Sequence, residues 1–206
     1  MRMKDKFQEG VNMNLKGTKT ANNLMISFAG ESQASMRYKY YAKEAKKEGY
    51  VQISNIFEET ARNEDQHAKR FFRFLNEGGL KDEAVKVEWE YPVLLGTTSE
   101  NLLAAAEGEK EENTVMYPGF ADVAEEEGFE DIAYVWREIA EVEEAHETRY
   151  RKLLKNIEED KVFKKDEEVY WKCNNCGYIH KGTSAPIACP ACDHPQGHFE
   201  VFKETY

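Results

Sequence analysis

Glu64-Asp65-Gln66-His67 decides how this chain folds, because the same Glu-x-x-His spacing returns 79 residues later as Glu143-Glu144-Ala145-His146. The offset extends beyond the motif. It pairs Gly49 with Gly128, Tyr50 with Phe129, Ile53 with Ile132, Phe57 with Trp136, Ala61 with Ala140, Arg70 with Arg149 and Leu75 with Leu154. The chain therefore contains an internal repeat. On a helix, residues three apart share a face, so each copy aims a carboxylate and an imidazole at one point. Two copies can close around a pair of metal ions.

Working outward from these motifs, apolar positions at helical spacing predict four helices. The first runs from Thr18 or Thr20 through Leu24, Phe28, Glu31, Met36, Tyr40 and Ala45 to Gly49. The second carries Ile53, Phe57, Ala61, Glu64, His67, Phe71 and Leu75, and Gly78-Gly79 is expected to end it with left-handed conformations. The third, with Ser99 as a candidate cap, holds Leu102, Ala106, Glu109, Glu112 and Met116 before Pro118; the fourth follows Gly128 and carries Ile132, Trp136, Ile139, Glu143, His146, Tyr150 and Leu154. Residues 80 to about 98 form a long crossover with a β-like run from Val85 to Tyr91. The fold class is mainly α, an antiparallel four-helix bundle with a long crossover, followed by a small metal-bound β and loop domain.

The repeat is imperfect at one place. Tyr38 matches Tyr117 at an offset of 79, whereas Gly30-Glu31 matches Gly108-Glu109 at 78. The third helix thus has one extra residue between its glutamate and its tyrosine, which a π-bulge would absorb. The insertion accompanies an additional acid, Glu112, so the site should be asymmetric.

Helical phase brings Glu31, Glu64, His67, Glu109, Glu112, Glu143 and His146 to the interior. Five carboxylates cannot share an apolar core unless cations or protons neutralise them. Carboxylate with imidazole suits iron or manganese, and zinc could enter. Glu107, Glu111 and Glu141 read as solvated, and Glu144 falls outside the repeat register. All four cysteines lie in the last quarter, as Cys173-x-x-Cys176 and Cys189-x-x-Cys192. Their spacing fits one tetrahedral ion, either the zinc of a ribbon or the iron of a rubredoxin. Asp193 stands where the second knuckle would ordinarily have glycine. His180, His194 and His198 read as surface or packing groups.

The expected layout is an N-terminal arm over 1–15, the bundle over 16–158, a linker over 159–168 and the cysteine domain over 169–206. A formal charge of −11, from 39 acids and 28 bases, argues against nucleic acid and against a polybasic membrane anchor. No run is long and apolar enough to span a membrane, and close cysteine pairs suit a reducing compartment, so a cytoplasmic location is expected.

Phe28-Ala-Gly-Glu31-Ser-Gln, the two Glu-x-x-His motifs, Met116-Tyr-Pro118 and Cys173-x-x-Cys-Gly-Tyr178 occur in an order that resembles the rubrerythrin family, from about residue 15 to the end. The resemblance implies a ferritin-like di-iron bundle and a rubredoxin-like domain, with two non-haem irons and one iron bound by four cysteines. It further implies that Glu64 and Glu143 bridge the irons, that Glu31 and Glu109 are terminal ligands, that His146 holds the second iron, and that the first exchanges His67 for Glu112 with redox state. Tyr38 and Tyr117 would hydrogen-bond the carboxylates. The implied activity is reduction of hydrogen peroxide to water, with an external electron-donor protein, a reductase or rubredoxin-like carrier drawing on a nicotinamide cofactor. Ferritin-like iron oxidation with oxygen and peroxide sensing are the alternatives. The fourth helix runs on about a dozen residues past His146, roughly 18 Å. A same-chain electron route is therefore long, and a head-to-tail homodimer is expected.

Overall fold

The computed structural model describes residues 13–205; residues 1–12, most of the expected arm, lie outside the described residues. Helix α1 spans Lys19–Lys47, α2 Val51–Leu75, α3 Thr98–Glu111, α4 Tyr117–Glu126 and α5 Glu130–Glu158. Thr18 caps α1 by accepting from the Ala21 amide. The turns after α1 and α4 are repeat copies of one another. Gly49 and Gly128 both take positive φ, and the next residue's amide returns to a carbonyl of the last helical turn, Tyr50 to Ala45 and Phe129 to Ala124. Such short turns make α1 and α2, and α4 and α5, antiparallel neighbours.

The two halves also cap each other. Glu127, at the end of α4, accepts from the Lys19 and Thr20 amides that open α1. Glu48, its repeat partner at the end of α1, accepts from the Thr98 amide that opens α3. The helix starts would otherwise carry unsatisfied donors.

Four sequence expectations need correction. Helix α3 is capped by Thr97 rather than Ser99, because Thr97 and Glu100 form a reciprocal capping box. Pro118 does not end the helix. A π-turn over Glu112–Met116 absorbs the inserted residue, and the Tyr117 amide reaches back five residues to Glu112, so the chain passes the proline and continues as α4. Of the two glycines after α2, only Gly79 is left-handed, with φ of 88°. Gly78 is needed because Leu15 packs on it: a Cβ there would collide with the Leu15 side chain. The run from Val85 to Tyr91 forms no strand. Among the described residues no strand lies beside it to complete a ladder, and the crossover is held on α1 by single bonds instead. Tyr91 donates to Ile26 O, Gln33 to Pro92 O and Tyr41 to Leu94 O.

Two apolar layers sandwich the acidic one. Leu24, Phe71, Tyr117 and Trp136 pack on one side. Tyr38, Tyr41, Phe57, Leu102 and Tyr150 pack on the other. The C-terminal domain is a three-stranded antiparallel sheet in the order β2-β1-β3, with β1 Lys164–Cys173, β2 Ile179–Ser184 and β3 Phe199–Val201. Strand β1 begins inside the stretch expected as linker. Trp171 and Phe199 fill the core of the domain. Gly197 sits so close to the Gly49 turn that a Cβ would strike its carbonyl, and Phe163 stacks on Tyr50 at 6.1 Å. These contacts seat the domain on the α1–α2 turn.

Candidate metal centres

Helix α2 contributes Glu64 and His67, α5 contributes Glu143 and His146, α1 contributes Glu31 and α3 contributes Glu109. They assemble into two overlapping groups. Glu31, Glu64, His67 and Glu143 form one; Glu64, Glu109, Glu143 and His146 form the other, with the ligand atoms of each within 4.8 Å of one another. Glu64 and Glu143 belong to both, and their oxygens divide accordingly. His67 Nδ1 lies 2.9 Å from Glu64 Oε2 and 2.9 Å from Glu143 Oε1. His146 Nδ1 lies 3.2 Å from Glu64 Oε1 and 2.7 Å from Glu143 Oε2. Each shared carboxylate offers one oxygen to each side.

These approaches lack hydrogen-bond geometry. Both oxygens of Glu64 and of Glu143, Glu31 Oε2, and Nδ1 of both histidines are buried without a hydrogen-bond partner. Buried polar atoms are almost always satisfied, and a set of orphans facing one centre is the arrangement a pair of divalent cations would complete. Oxygen and imidazole donors fit iron.

Without cations the site must find positive charge and protons elsewhere. Burial drives Glu31 well above the ordinary carboxylate range, with the charges of Glu143 and Glu64 adding to it. Burial, then Glu64 and Glu143, push Glu109 up to about 8. For Glu64 burial also acts upward, but His146 and His67 outweigh it and bring it down to about 2. Burial lowers His146, yet Glu109, Glu143 and Glu64 prevail and raise it to about 12. His67 rises in the same way, burial being outweighed by Glu143, Glu31 and Glu64. Imidazolium groups thus stand in for the metal charge.

Two tyrosines brace the outer carboxylates crosswise. Tyr38 on α1 donates to Glu109 Oε1 at 2.5 Å, and Tyr117 on α4 donates to Glu31 Oε1. Glu112 stands apart from both groups. It opens the π-turn, half-buried, and burial followed by the charges of Glu31, Glu109, Glu143 and Glu64 raises its pKa. Of the seven bundle ligands expected from sequence, the structure gathers six and leaves Glu112 at the edge. The bond from Trp136 Nε1 to Ser27 Oγ at 3.0 Å was not anticipated; the match of Trp136 to Phe57 was its only signal.

In the small domain Cys173, Cys176, Cys189 and Cys192 converge, again with ligand atoms within 4.8 Å. The two knuckles are near copies. Cys173 N–H donates to Tyr178 O and Gly177 N–H to Cys173 O; Cys189 N–H donates to His194 O and Asp193 N–H to Cys189 O. Gly177 and Asp193 both have positive φ, 81° and 58°, so Asp193 takes the conformation glycine would. Amides approach the sulfurs. The His194 amide is the chief influence bringing Cys192 down to about 6.

A family model described as rubrerythrin matches residues 22–154, and one for the rubrerythrin rubredoxin-like domain matches 171–200. The chain is 63% identical to Rubrerythrin-1 of Clostridium acetobutylicum over 93% of this chain and 98% of that protein. It is 50% identical to a rubrerythrin of Nitratidesulfovibrio vulgaris over 91% and 96%. Among solved structures, a partially reduced nigerythrin aligns with a TM-score of 0.61 at 30% identity, covering 95% of this chain and 96% of that one. A Desulfovibrio desulfuricans bacterioferritin aligns at 0.63 and 23% identity over 74% and 87%, a likeness of fold. With both of its parts matched in order, the chain belongs to the rubrerythrin family, di-iron proteins of oxidative-stress defence that carry a four-cysteine rubredoxin-like site.

Proposed function

We propose that this chain reduces hydrogen peroxide to water at the bundle site, with electrons supplied through the cysteine-bound iron. The observation that carries the reading is the division of oxygens: Glu64 and Glu143 each offer one oxygen to each half of the site. When bound there, two irons supply the electrons that cleave the O–O bond. Glu64 and Glu143, each with one oxygen toward each half, would hold them as a pair. Glu31 and Glu109 would serve as terminal ligands, with His67 and His146 completing the two halves. Glu112, one helical turn from Glu109 and outside both groups, would be the alternative to His67 as a ligand of the first iron in the other redox state.

Reduction of one peroxide to two waters also needs two protons. Tyr38 and Tyr117 hold protons at Oη on the carboxylates that face the site. The buried rings beside them keep bulk water away.

Gly49, where the cysteine domain rests, is fifteen residues before Glu64 on α2, about 22 Å at 1.5 Å per residue. A partner chain arranged head to tail would offer a shorter path. An external carrier protein, in a cytoplasmic setting, would reload the cysteine iron. No helix among the described residues is long and apolar enough to cross a membrane.

Reduced, iron-loaded protein should consume one peroxide for each electron pair it holds and release no oxygen gas. Release of oxygen would indicate dismutation and overturn the reading.

A further inference from the structure

The rings flanking the metal site obey the same repeat as the ligands. Tyr38, Tyr41 and Phe57 correspond to Tyr117, Phe120 and Trp136, and Tyr150 corresponds to Phe71. In the first cluster Tyr38 packs on Tyr41, Phe57 and Tyr150 with centroids 6.0, 6.0 and 5.6 Å apart. All four rings are buried, and the cluster ends where Tyr41 donates to Leu94 O.

The second cluster is not a dead end. Tyr117 lies 5.8 Å from Phe71, Phe71 5.8 Å from Trp136, Trp136 5.7 Å from Phe120, and Phe120 5.9 Å from Trp89 on the crossover. Trp89 is 44% exposed. Two indoles thus lie in line on one side of the site, Trp136 at the repeat position of Phe57 and Trp89 on the crossover, whereas the first cluster holds none. Packing alone asks for rings of suitable size, which phenylalanine meets at position 57. Indole and phenol are the side-chain rings that yield an electron most readily.

We propose that Tyr117, Trp136 and Trp89 form a conduit that carries an oxidising equivalent from the metal centre to the surface. Phe71 and Phe120, too hard to oxidise, fill the gaps between them. The proposal rests on the peroxide reading above.

Peroxide takes two electrons and two protons to become two waters. When the irons can give only one electron, Tyr117 gives the other. Its Oη–H bond breaks, the proton passes to Glu31 Oε1, and the electron completes the pair. Trp136 then returns an electron to Tyr117, which recovers its proton from Glu31. Trp136 keeps its own N–H on Ser27 Oγ, a neutral acceptor, so the charge does not settle there. Trp89 refills Trp136 and loses its indole proton to water. The balance is one electron from the irons, one from Trp89, and one peroxide reduced. An external thiol would restore Trp89 by hydrogen-atom transfer; without it, oxygen adds to the ring.

The test uses the iron-loaded full chain, brought to one electron per di-iron centre with the cysteine iron oxidised, mixed with equimolar hydrogen peroxide in air without thiol. Rapid-freeze electron paramagnetic resonance and peptide mass mapping are the readouts. The conduit requires a tryptophanyl radical and added oxygen on Trp89, with Trp171 of the cysteine domain unmarked. In Trp136→Phe, which copies its repeat partner, the radical should stay on Tyr117 and Trp89 oxidation should fall to that of metal-free protein given the same peroxide. Iron content and circular dichroism establish that the variant is folded and loaded. Trp89 oxidation unchanged in Trp136→Phe, or equal in metal-free protein, overturns the conduit. A change in the iron spectrum with Trp89 untouched overturns the conduit and leaves the peroxide reading standing, whereas an unchanged spectrum overturns that reading itself.

Discussion

Tyr38 Oη lies 2.5 Å from Glu109 Oε1, a buried hydrogen bond that ties α1 to α3, and Tyr117 returns the same kind of bond from α4 to Glu31. The outer carboxylates are therefore each oriented by the opposite half of the repeat, as supporting groups orient metal ligands elsewhere. Tyr38→Phe leaves a buried carboxylate oxygen without a donor. The expected cost in the metal-free protein is about 1–3 kcal/mol, read from denaturant unfolding. Tyr40→Phe, on the exposed face of the same helix, should change stability little.

Glu143 serves both halves of the site and His146 only one. Glu143→Gln should therefore reduce the iron of both positions, while His146→Ala should empty one and leave the other occupied. Metal analysis, with absorption of the cysteine iron as an internal reference, separates these outcomes. Equal iron retention in the two variants would show that the oxygens are not shared as the geometry indicates.

Glu127 links helix capping to pH. Burial acts upward on it, but the Thr20 hydroxyl, the Thr20 and Lys19 amides and the Lys19 charge outweigh it and hold its pKa below the ordinary 4.5. A depressed folded pKa contributes stability that is present above the unfolded value and lost as pH falls through the folded one. Wild-type protein should lose this contribution below about pH 4.5, and Glu127→Gln should lack it at neutral pH and show a shallower acid limb. Melting temperature against pH for the two proteins makes the comparison; parallel curves would remove Glu127 from the account.

Much of this design is legible in the sequence, because the two Glu-x-x-His pairs, the bracing tyrosines and the hairpin glycines follow one offset. Even the π-turn shows, as the slip from 79 to 78 between Glu31 and Tyr38. What escaped depends on contacts from afar. Gly78 is explained by Leu15, sixty-three residues earlier, and the choice of Thr97 over Ser99 by which residue closes a box with Glu100. Pro118 reads as a helix stop until the wider turn before it is known. Glu112 has helical phase toward the site, yet the π-turn that begins at its own position leaves it beside the ligand groups.

Gly177, with φ of 81°, opens the first cysteine knuckle. Gly177→Val forces a β-branched residue into left-handed backbone, at about 1–2 kcal/mol, and should reduce occupancy of the cysteine site while leaving bundle iron intact. Asp193→Gly, at the matching position, should be neutral or stabilising. Loss of the cysteine-iron absorption bands in the first variant and their retention in the second is the expected pattern.

In the proposed reaction the bundle irons would react with peroxide and the cysteine iron would feed them. Its most direct test is stopped-flow mixing of fully reduced protein with hydrogen peroxide and, separately, with oxygen, following the di-iron and cysteine-iron bands together. Peroxide should oxidise the di-iron centre far faster than oxygen does, with the cysteine iron oxidising afterwards. Oxidation by oxygen at an equal rate, or a cysteine iron that stays reduced while the di-iron centre turns over, would contradict it.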